Sequence, residues 1–208
     1  DLLKGYFDDG TALQEIGSAA AGGKNYILNP DAATNATDNV ANTSAAGSWT
    51  VARITDVADA ADLPEESKGY AFKITSDSLV AADDTVEWAI ESTGIDDADG
   101  GVFGRAKVSV KDISGSINGE YSIQVYSVTD SVYVGDSETI TGTGTYYLDV
   151  PFVGADDYEF HLKAETTNPS AIGISGVTIE PVSQTTAGDT GKWQSYTPTN
   201  SQGFGTIS

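Results

Sequence analysis

Residues 158–164 read YEFHLKA, and apolar side chains alternate with polar ones along this stretch. Tyr158, Phe160 and Leu162 fall on one side of an extended chain, while residues 159, 161 and 163 fall on the other. This period of two predicts a β-strand with one face in a core and the other in solvent. His161, the only histidine, is therefore predicted to be an ordinary surface side chain.

The same period recurs along the chain between clusters of Gly, Asp, Asn and Ser. Short alternating segments at this spacing are typical of a β-sandwich, so we predict an all-β fold of about nine strands. In the last strand the parity of the apolar residues changes at Ser175-Gly176, which predicts a β-bulge there. The predicted strands are residues 25–28, 49–55, 70–75, 85–92, 104–113, 121–128, 145–153, 158–165 and 172–180.

The chain divides into four parts. Residues 1–23 carry apolar side chains at a loosely helical spacing, which predicts a short N-terminal stalk. Residues 24–181 make up the sandwich, residues 182–192 are small and polar like an extended linker, and residues 193–208 begin a further domain. Because no methionine is present, even at the first position, we interpret the chain as an internal or processed piece of a longer protein.

Composition excludes several classes of partner. The 208 residues carry a formal net charge of -21, which repels phosphate backbones and anionic bilayers and argues against nucleic acid and membrane surfaces. No apolar run is long enough to cross a membrane. Since there is no cysteine, disulfides, thiolate metal sites and cysteine nucleophiles are all excluded.

Two motifs flank the predicted sandwich. KNYILNPDA occupies residues 24–32, and KWQSYTPTNSQGFGT occupies residues 192–206, after a last strand that ends in GVTIEP. Together they resemble a family of virion structural proteins of tailed bacteriophages. The resemblance implies a jelly roll similar to carbohydrate-binding modules, set among other virion proteins in a trimeric tail fibre or appendage. Relatives tend to carry an acidic or amide residue where this chain has Ser175-Gly176-Val177, and this departure weighs against a calcium site in that corner.

The terminal segments carry large apolar side chains that such short segments cannot bury alone. Copies of the chain meeting around an axis would cover these side chains, and closed cyclic assemblies are common among fibres, so we predict a homotrimer. The predicted subunit contacts are Leu2, Leu3, Tyr6, Phe7, Ile16, Trp193 and Phe204.

Acidic clusters suggest Ca²⁺ as the one cofactor to consider. The loop IDDADGG at residues 95–101 places Asp96, Asp97 and Asp99 before two glycines, and oxygen donors in a tight turn suit Ca²⁺. A solvated acidic turn fits the same loop, which lacks the bidentate Glu of an EF-hand. A second cation site would join Asp31 to Glu180, because the ends that carry them adjoin in the modules that the chain resembles.

Exposed aromatic rings matter because sugar rings stack on them. Strand parity puts Trp49 and Trp88 in the core. Tyr126 faces away from the apolar side of its strand, Gln124 lies nearby, and Tyr133 is predicted to lie in the following loop. These three are the predicted glycan contacts.

Three functions stay open at this point. The first is a non-enzymatic module that spaces and trimerises a virion appendage and contacts a host-surface polysaccharide. The second is a dedicated glycan-binding module, for which a secreted bacterial adhesin is the alternative to a virion. The third is a fibre-borne glycan hydrolase. Carboxylate pairs such as Asp83-Asp84 are too abundant to mark an active site, so we expect no enzyme.

Overall fold

A computed structural model describes residues 5–8, 13–16, 25–90, 102–152 and 157–182. The only helical turn within these ranges is a short 3₁₀ turn, Ala60–Asp62, and no helix there is long and apolar enough to span a bilayer. The strands are β1 (Gly5–Asp8), β2 (Leu13–Ile16), β3 (Val40–Thr43), β4 (Trp49–Thr55), β5 (Tyr70–Ser76), β6 (Thr85–Ala89), β7 (Val102–Asp112), β8 (Tyr121–Ser127), β9 (Val132–Ile140), β10 (Gly144–Phe152), β11 (Tyr158–Ala164) and β12 (Ile172–Val182).

Two five-stranded antiparallel sheets enclose one core. The back sheet has the order β10-β7-β12-β5-β4, and the front sheet has the order β3-β6-β11-β8-β9. Between them Trp88 of β6 meets Phe72 and Phe160 edge-on, with ring centroids 5.4 and 5.9 Å apart. The predicted all-β sandwich is confirmed, and Trp49 and Trp88 are buried as expected.

The alternation in the sequence accounts for most of the strands. Eight of the nine predicted segments are strands of the two sheets, and in β11 the side chains of Tyr158, Phe160 and Leu162 are buried. The bulge in β12 is also confirmed, because its pairing with β7 shifts register between Ser175 and Thr178. Gly176 in this bulge has a φ of 59°, a left-handed conformation that glycine adopts without strain.

The predicted strand at residues 25–28 is wrong. The N–H of Tyr26 donates to the carbonyl of Ile179 in the back sheet, whereas the N–H of Leu28 donates to the carbonyl of Ala89 in the front sheet. A segment that crosses from one sheet to the other cannot continue a ladder in either of them, so it makes only the single bridge between Ile27 and residue 90.

Two strands and one hairpin were not predicted. β3 lies at the edge of the front sheet and has no buried side chain, so it carries no apolar alternation. β9 contains Gly135-Asp136-Ser137, residues typical of turns, and Gly135 has a φ of 76°. Residues 5–8 and 13–16 pair as the hairpin β1–β2, so the helical spacing predicted for the stalk is wrong.

The loop between β4 and β5 lies against the outer face of the back sheet. Lys73 donates to Asp62 of this loop at 2.7 Å, and Lys107 forms an ion pair with Glu66. At Gly173 a Cβ atom would come within 2.5 Å of the Asp62 carbonyl oxygen, so the close approach of the loop requires glycine there. The chain's own loop therefore occupies part of the back face.

Candidate functional site

The outward face of the front sheet brings side chains from four strands together. His161, at the centre of β11, pairs in register with Glu87 of β6 on one side and Gln124 of β8 on the other. Tyr126 of β8 pairs with Tyr133 of β9. Side chains directly opposite on neighbouring strands lie on the same face. We call this group the front-face cluster; it consists of Glu87, Gln124, Tyr126, Tyr133, Glu159 and His161.

Three rings form the middle of the front-face cluster. Tyr126 stacks on His161 with ring centroids 5.1 Å apart and an interplanar angle of 20°. Tyr133 meets both rings nearly edge-on, at 5.2 Å from Tyr126 and 5.6 Å from His161. Tyr133 is 39% exposed, and Tyr126 is half-buried. The two tyrosines are therefore accessible from solvent, whereas the imidazole lies beneath them.

His161 is not the surface residue that its strand parity predicted. It is only 4% exposed, although it does point to the polar side of β11. Its Nδ1 atom lies 3.3 Å from the Tyr133 hydroxyl, and its Nε2 atom lies 3.1 Å from a carboxylate oxygen of Glu159. The prediction failed because side chains of the neighbouring strands cover His161. Parity within one strand gives the direction in which a side chain points, but not whether neighbouring strands bury it.

Glu87 is the second carboxylate beside the imidazole. Its side chain is 13% exposed, and its Oε1 atom lies 4.0 Å from Nε2 of His161. The same oxygen accepts hydrogen bonds from the hydroxyls of Thr43 at 3.1 Å and Thr85 at 2.6 Å. Among the described residues, no lysine or arginine comes within 4.0 Å of either glutamate of the cluster.

The lysine nearest in sequence is engaged elsewhere. Lys163, next along the outward side of β11, donates to Asp83 at 3.2 Å and forms an ion pair with Glu165 at 3.1 Å. Burial opposes its charge, but these two carboxylates outweigh burial and raise the pKa of Lys163 above its ordinary value. Ser122 also donates to Glu165, at 2.5 Å. Lys163 therefore remains cationic and is held by its own carboxylates.

Tyr133 lies in β9 and not in the predicted loop. Beyond it β9 is irregular: Val125 of β8 pairs with Val134 and Ile123 pairs with Glu138, so residues 135–137 of β9 lie opposite the single residue Gln124 and form a bulge. Burial raises the pKa of the Tyr133 hydroxyl above its ordinary value. The hydroxyl is therefore neutral across physiological pH and can both donate and accept hydrogen bonds.

The structure brings the three predicted glycan contacts together, and their role stays a prediction. The structure places three further residues, Glu87, Glu159 and His161, beside them. Alternation had predicted only that Glu159 and His161 face outward, and nothing in the sequence distinguished Glu87 from the many other carboxylates. Asp31 accepts a hydrogen bond from the N–H of Ala33, while the side chain of Glu180 lies outside the described part of the chain. Also outside it are Asp96, Asp97, Asp99, Leu2, Leu3, Trp193 and Phe204, together with the side chains of Tyr6, Phe7 and Ile16.

Comparison with known proteins bears on the fold. No protein-family model and no curated protein matches the chain. Among solved structures, it is similar to the enzymatically active domain of tailspike protein 4 of bacteriophage CBA120, with a TM-score of 0.54, 14% identity, and coverage of 76% of this chain and 21% of that one. It is also similar to the CBM22-1 xylan-binding domain from Paenibacillus barcinonensis Xyn10C, with a TM-score of 0.50, 13% identity, and coverage of 78% and 98%.

A third similar structure is the arabinose-bound α-L-arabinofuranosidase MgGH51, with a TM-score of 0.51, 11% identity, and coverage of 76% of this chain and 27% of that one. The chain thus spans only about a quarter or less of the tailspike and arabinofuranosidase chains, but nearly all of the xylan-binding domain. These likenesses establish the jelly-roll fold of carbohydrate-binding modules for this chain.

Proposed function

We propose that this chain is a non-enzymatic glycan-binding module and that the front-face cluster is its contact surface. The observation that carries the proposal is the pair of solvent-accessible tyrosines, Tyr126 and Tyr133, mounted on a buried imidazole and bordered by carboxylate and amide groups. Aromatic rings stack against the apolar faces of sugar rings, and carboxylates and amides bind hydroxyl groups.

The charges of the cluster favour a neutral polysaccharide. Glu87 and Glu159 border the tyrosines, and the chain as a whole has a net charge of -21. An anionic glycan would meet repulsion both at the site and over the surface, whereas hydroxyl groups can donate to the carboxylates. The likeness to a xylan-binding domain supports including xylan among the first glycans to test.

The setting we propose for the module is a tail fibre or appendage of a bacteriophage virion, an extracellular particle, where the chain forms a homotrimer with other virion proteins beside it. The two flanking motifs and the likeness to a phage tailspike domain support this setting. A secreted bacterial adhesin with the same fold is the alternative, and the likeness to a bacterial xylan-binding domain is the observation that favours it.

The experiment is affinity electrophoresis of the chain in gels containing xylan, mannan, a β-glucan or anionic alginate. We expect retardation by at least one neutral polymer. Tyr133→Ala and Tyr126→Ala should each weaken binding about tenfold or more, or about 1.4 kcal/mol, since central aromatic contacts dominate such interfaces. Tyr147→Ala is the matched control, because Tyr147 is 53% exposed on a strand of the back sheet and should not affect binding.

Three outcomes would contradict the proposal. No retardation by any glycan of a wide panel would leave the purely architectural function. An equal loss in Tyr147→Ala would place the contact surface elsewhere. Release of reducing ends from a retained polymer, abolished by Glu87→Gln or Glu159→Gln, would make the chain a hydrolase.

A further inference from the structure

We propose that Glu87, Glu159 and His161 form a binding site for a divalent transition-metal ion, with Zn²⁺ as the best-fitting ion. One donor atom from each side chain, the Nε2 atom of His161 and one oxygen of each carboxylate, lies within 4.8 Å of the other two. Glu87 and Glu159 also border the proposed glycan contacts, but metal binding does not require a glycan and is tested without one.

The spacing of the donor atoms suits a tetrahedral ion. At a Zn²⁺ distance of about 2.0–2.1 Å, neighbouring ligand atoms lie roughly 3.3–3.4 Å apart. Nε2 of His161 is 3.1 Å from the Glu159 oxygen and 4.0 Å from the Glu87 oxygen. Rotation about the terminal bonds of the two glutamates, one of which is 31% exposed, would close the remaining difference.

The types of donor select the class of ion. Ca²⁺ and Mg²⁺ take oxygen ligands, whereas imidazole nitrogen combined with carboxylate oxygen suits Zn²⁺ and its neighbours among the transition metals. Three protein donors leave the fourth tetrahedral position to water.

Hydrogen bonds orient two of the three side chains toward the site. The second nitrogen of His161, Nδ1, lies 3.3 Å from the Tyr133 hydroxyl, so Nδ1–H can donate there and leave Nε2 free of its proton for a metal. The Glu87 oxygen that faces the imidazole accepts hydrogen bonds from the hydroxyls of Thr43 and Thr85, which keep it on the side of His161. Ordered neighbours of this kind orient metal ligands in proteins.

The charges of the cluster call for a cation. Even a protonated imidazole would balance only one of the two glutamates, and no lysine or arginine of the described residues forms an ion pair within 4.0 Å with either of them. Little-exposed carboxylates are costly unless an opposite charge compensates them. A divalent ion on a neutral imidazole balances the pair, and the net charge of -21 raises the local concentration of cations.

The test is isothermal titration of the full chain with Zn²⁺ at about 0.15 M salt and with Ca²⁺ in excess, so that diffuse binding to acidic surface is suppressed. We expect one tight Zn²⁺ site per chain, weakened at least about tenfold, or 1.4 kcal/mol, in both Glu87→Gln and His161→Gln. Glu165→Gln is the matched control: it removes the same charge from the same face, yet it lies with Lys163 and Ser122 outside the three ligands.

A second measurement holds even if a variant fails to fold. Because the chain has a single histidine, long-range ¹H–¹⁵N spectra of the wild-type imidazole report on His161 alone. We expect one equivalent of Zn²⁺ to shift the Nε2 resonance strongly and the Nδ1 resonance less. Imidazole resonances that do not change at saturating Zn²⁺, or equal weakening by Glu165→Gln, would overturn the proposal. Neither result would bear on glycan binding by Tyr126 and Tyr133.

Discussion

Replacing Asn25 should show how strongly the first motif of the chain stabilises the fold. Asn25 opens the segment that crosses the end of the sandwich. Its Nδ2 atom donates to the Val177 carbonyl at 3.1 Å, and its Oδ1 atom accepts the N–H groups of Ile27 at 3.1 Å and of Ile179 at 3.0 Å. Val177 lies in the bulge of β12 and Ile179 follows it, so one side chain ties the crossing segment to the irregular part of this strand.

The expected cost of Asn25→Ala follows from these three bonds. Ile27, Val177 and Ile179 are all buried, so the backbone groups released by the substitution have little access to water. At about 1 kcal/mol for each hydrogen bond, the loss in the free energy of unfolding is about 3 kcal/mol. For a chain of this size that lowers the melting temperature by roughly 6–12 °C.

Asn25→Asp separates the contribution of the hydrogen bond that Asn25 donates from that of the two bonds it accepts. The carboxylate keeps both acceptor bonds to Ile27 and Ile179 but cannot donate to Val177, so its expected loss is about one third of that of Asn25→Ala, or about 1 kcal/mol. Asn42→Ala is the control, because Asn42 is exposed on the edge strand β3 and should change stability by less than about 0.5 kcal/mol.

Urea unfolding followed by circular dichroism measures all three variants. The reasoning fails if Asn25→Ala loses less than about 1 kcal/mol, or if Asn25→Asp costs as much as Asn25→Ala. Either result would mean that the crossing segment is held by its backbone contacts and apolar side chains, without a contribution from the motif's asparagine.

Two further predictions concern acid stability and assembly. Burial opposes ionisation of Asp112, but hydrogen bonds from Ser114, Gly115 and Ile117 outweigh it and lower the pKa of Asp112. The contribution of this carboxylate to the free energy of unfolding is therefore present above the unfolded-state pKa of about 3.9 and is lost as the pH falls through the lower folded-state pKa. Urea unfolding across pH should therefore show a deficit for Asp112→Asn near pH 6 that shrinks below about pH 4, and a constant deficit would contradict this. We also expect a homotrimer, which multi-angle light scattering checks; a monomer from a chain that includes residues 1–208 would count against it.

The strands that the sequence predicted are those whose inner side faces the core. The alternation in β11 follows from burial of Phe160 and Leu162 against the back sheet. Burial of one side of a strand makes apolar and polar residues alternate within that strand, so the pattern can be read from its sequence alone. β3 has no buried side chain, and β9 contains Gly135 among residues typical of turns, so neither strand shows a clear apolar–polar alternation. Residues 25–28 include three apolar side chains, but the N–H groups of Tyr26 and Leu28 donate to different sheets, so the segment forms no ladder.

The candidate site could be predicted only in part, for a related reason. Parity alone indicated that Tyr126 faces outward, and this is a property of a single strand. The burial of His161 depends instead on Tyr133 two strands away and on the register of β6 with β11, which places Glu87 beside the imidazole. Cross-strand register is a long-range property that a local pattern does not encode.

Mapping a bound oligosaccharide on the chain is the sharpest test of glycan binding by the front-face cluster. Amide chemical shifts of the ¹⁵N-labelled protein would be followed while the best-retained glycan, as a soluble oligosaccharide, is added to saturation. We expect the largest changes on β8, β9 and β11 around Gln124, Tyr126 and Tyr133. Saturable changes confined to the back sheet, with the resonances of Tyr126 and Tyr133 unmoved, would contradict it.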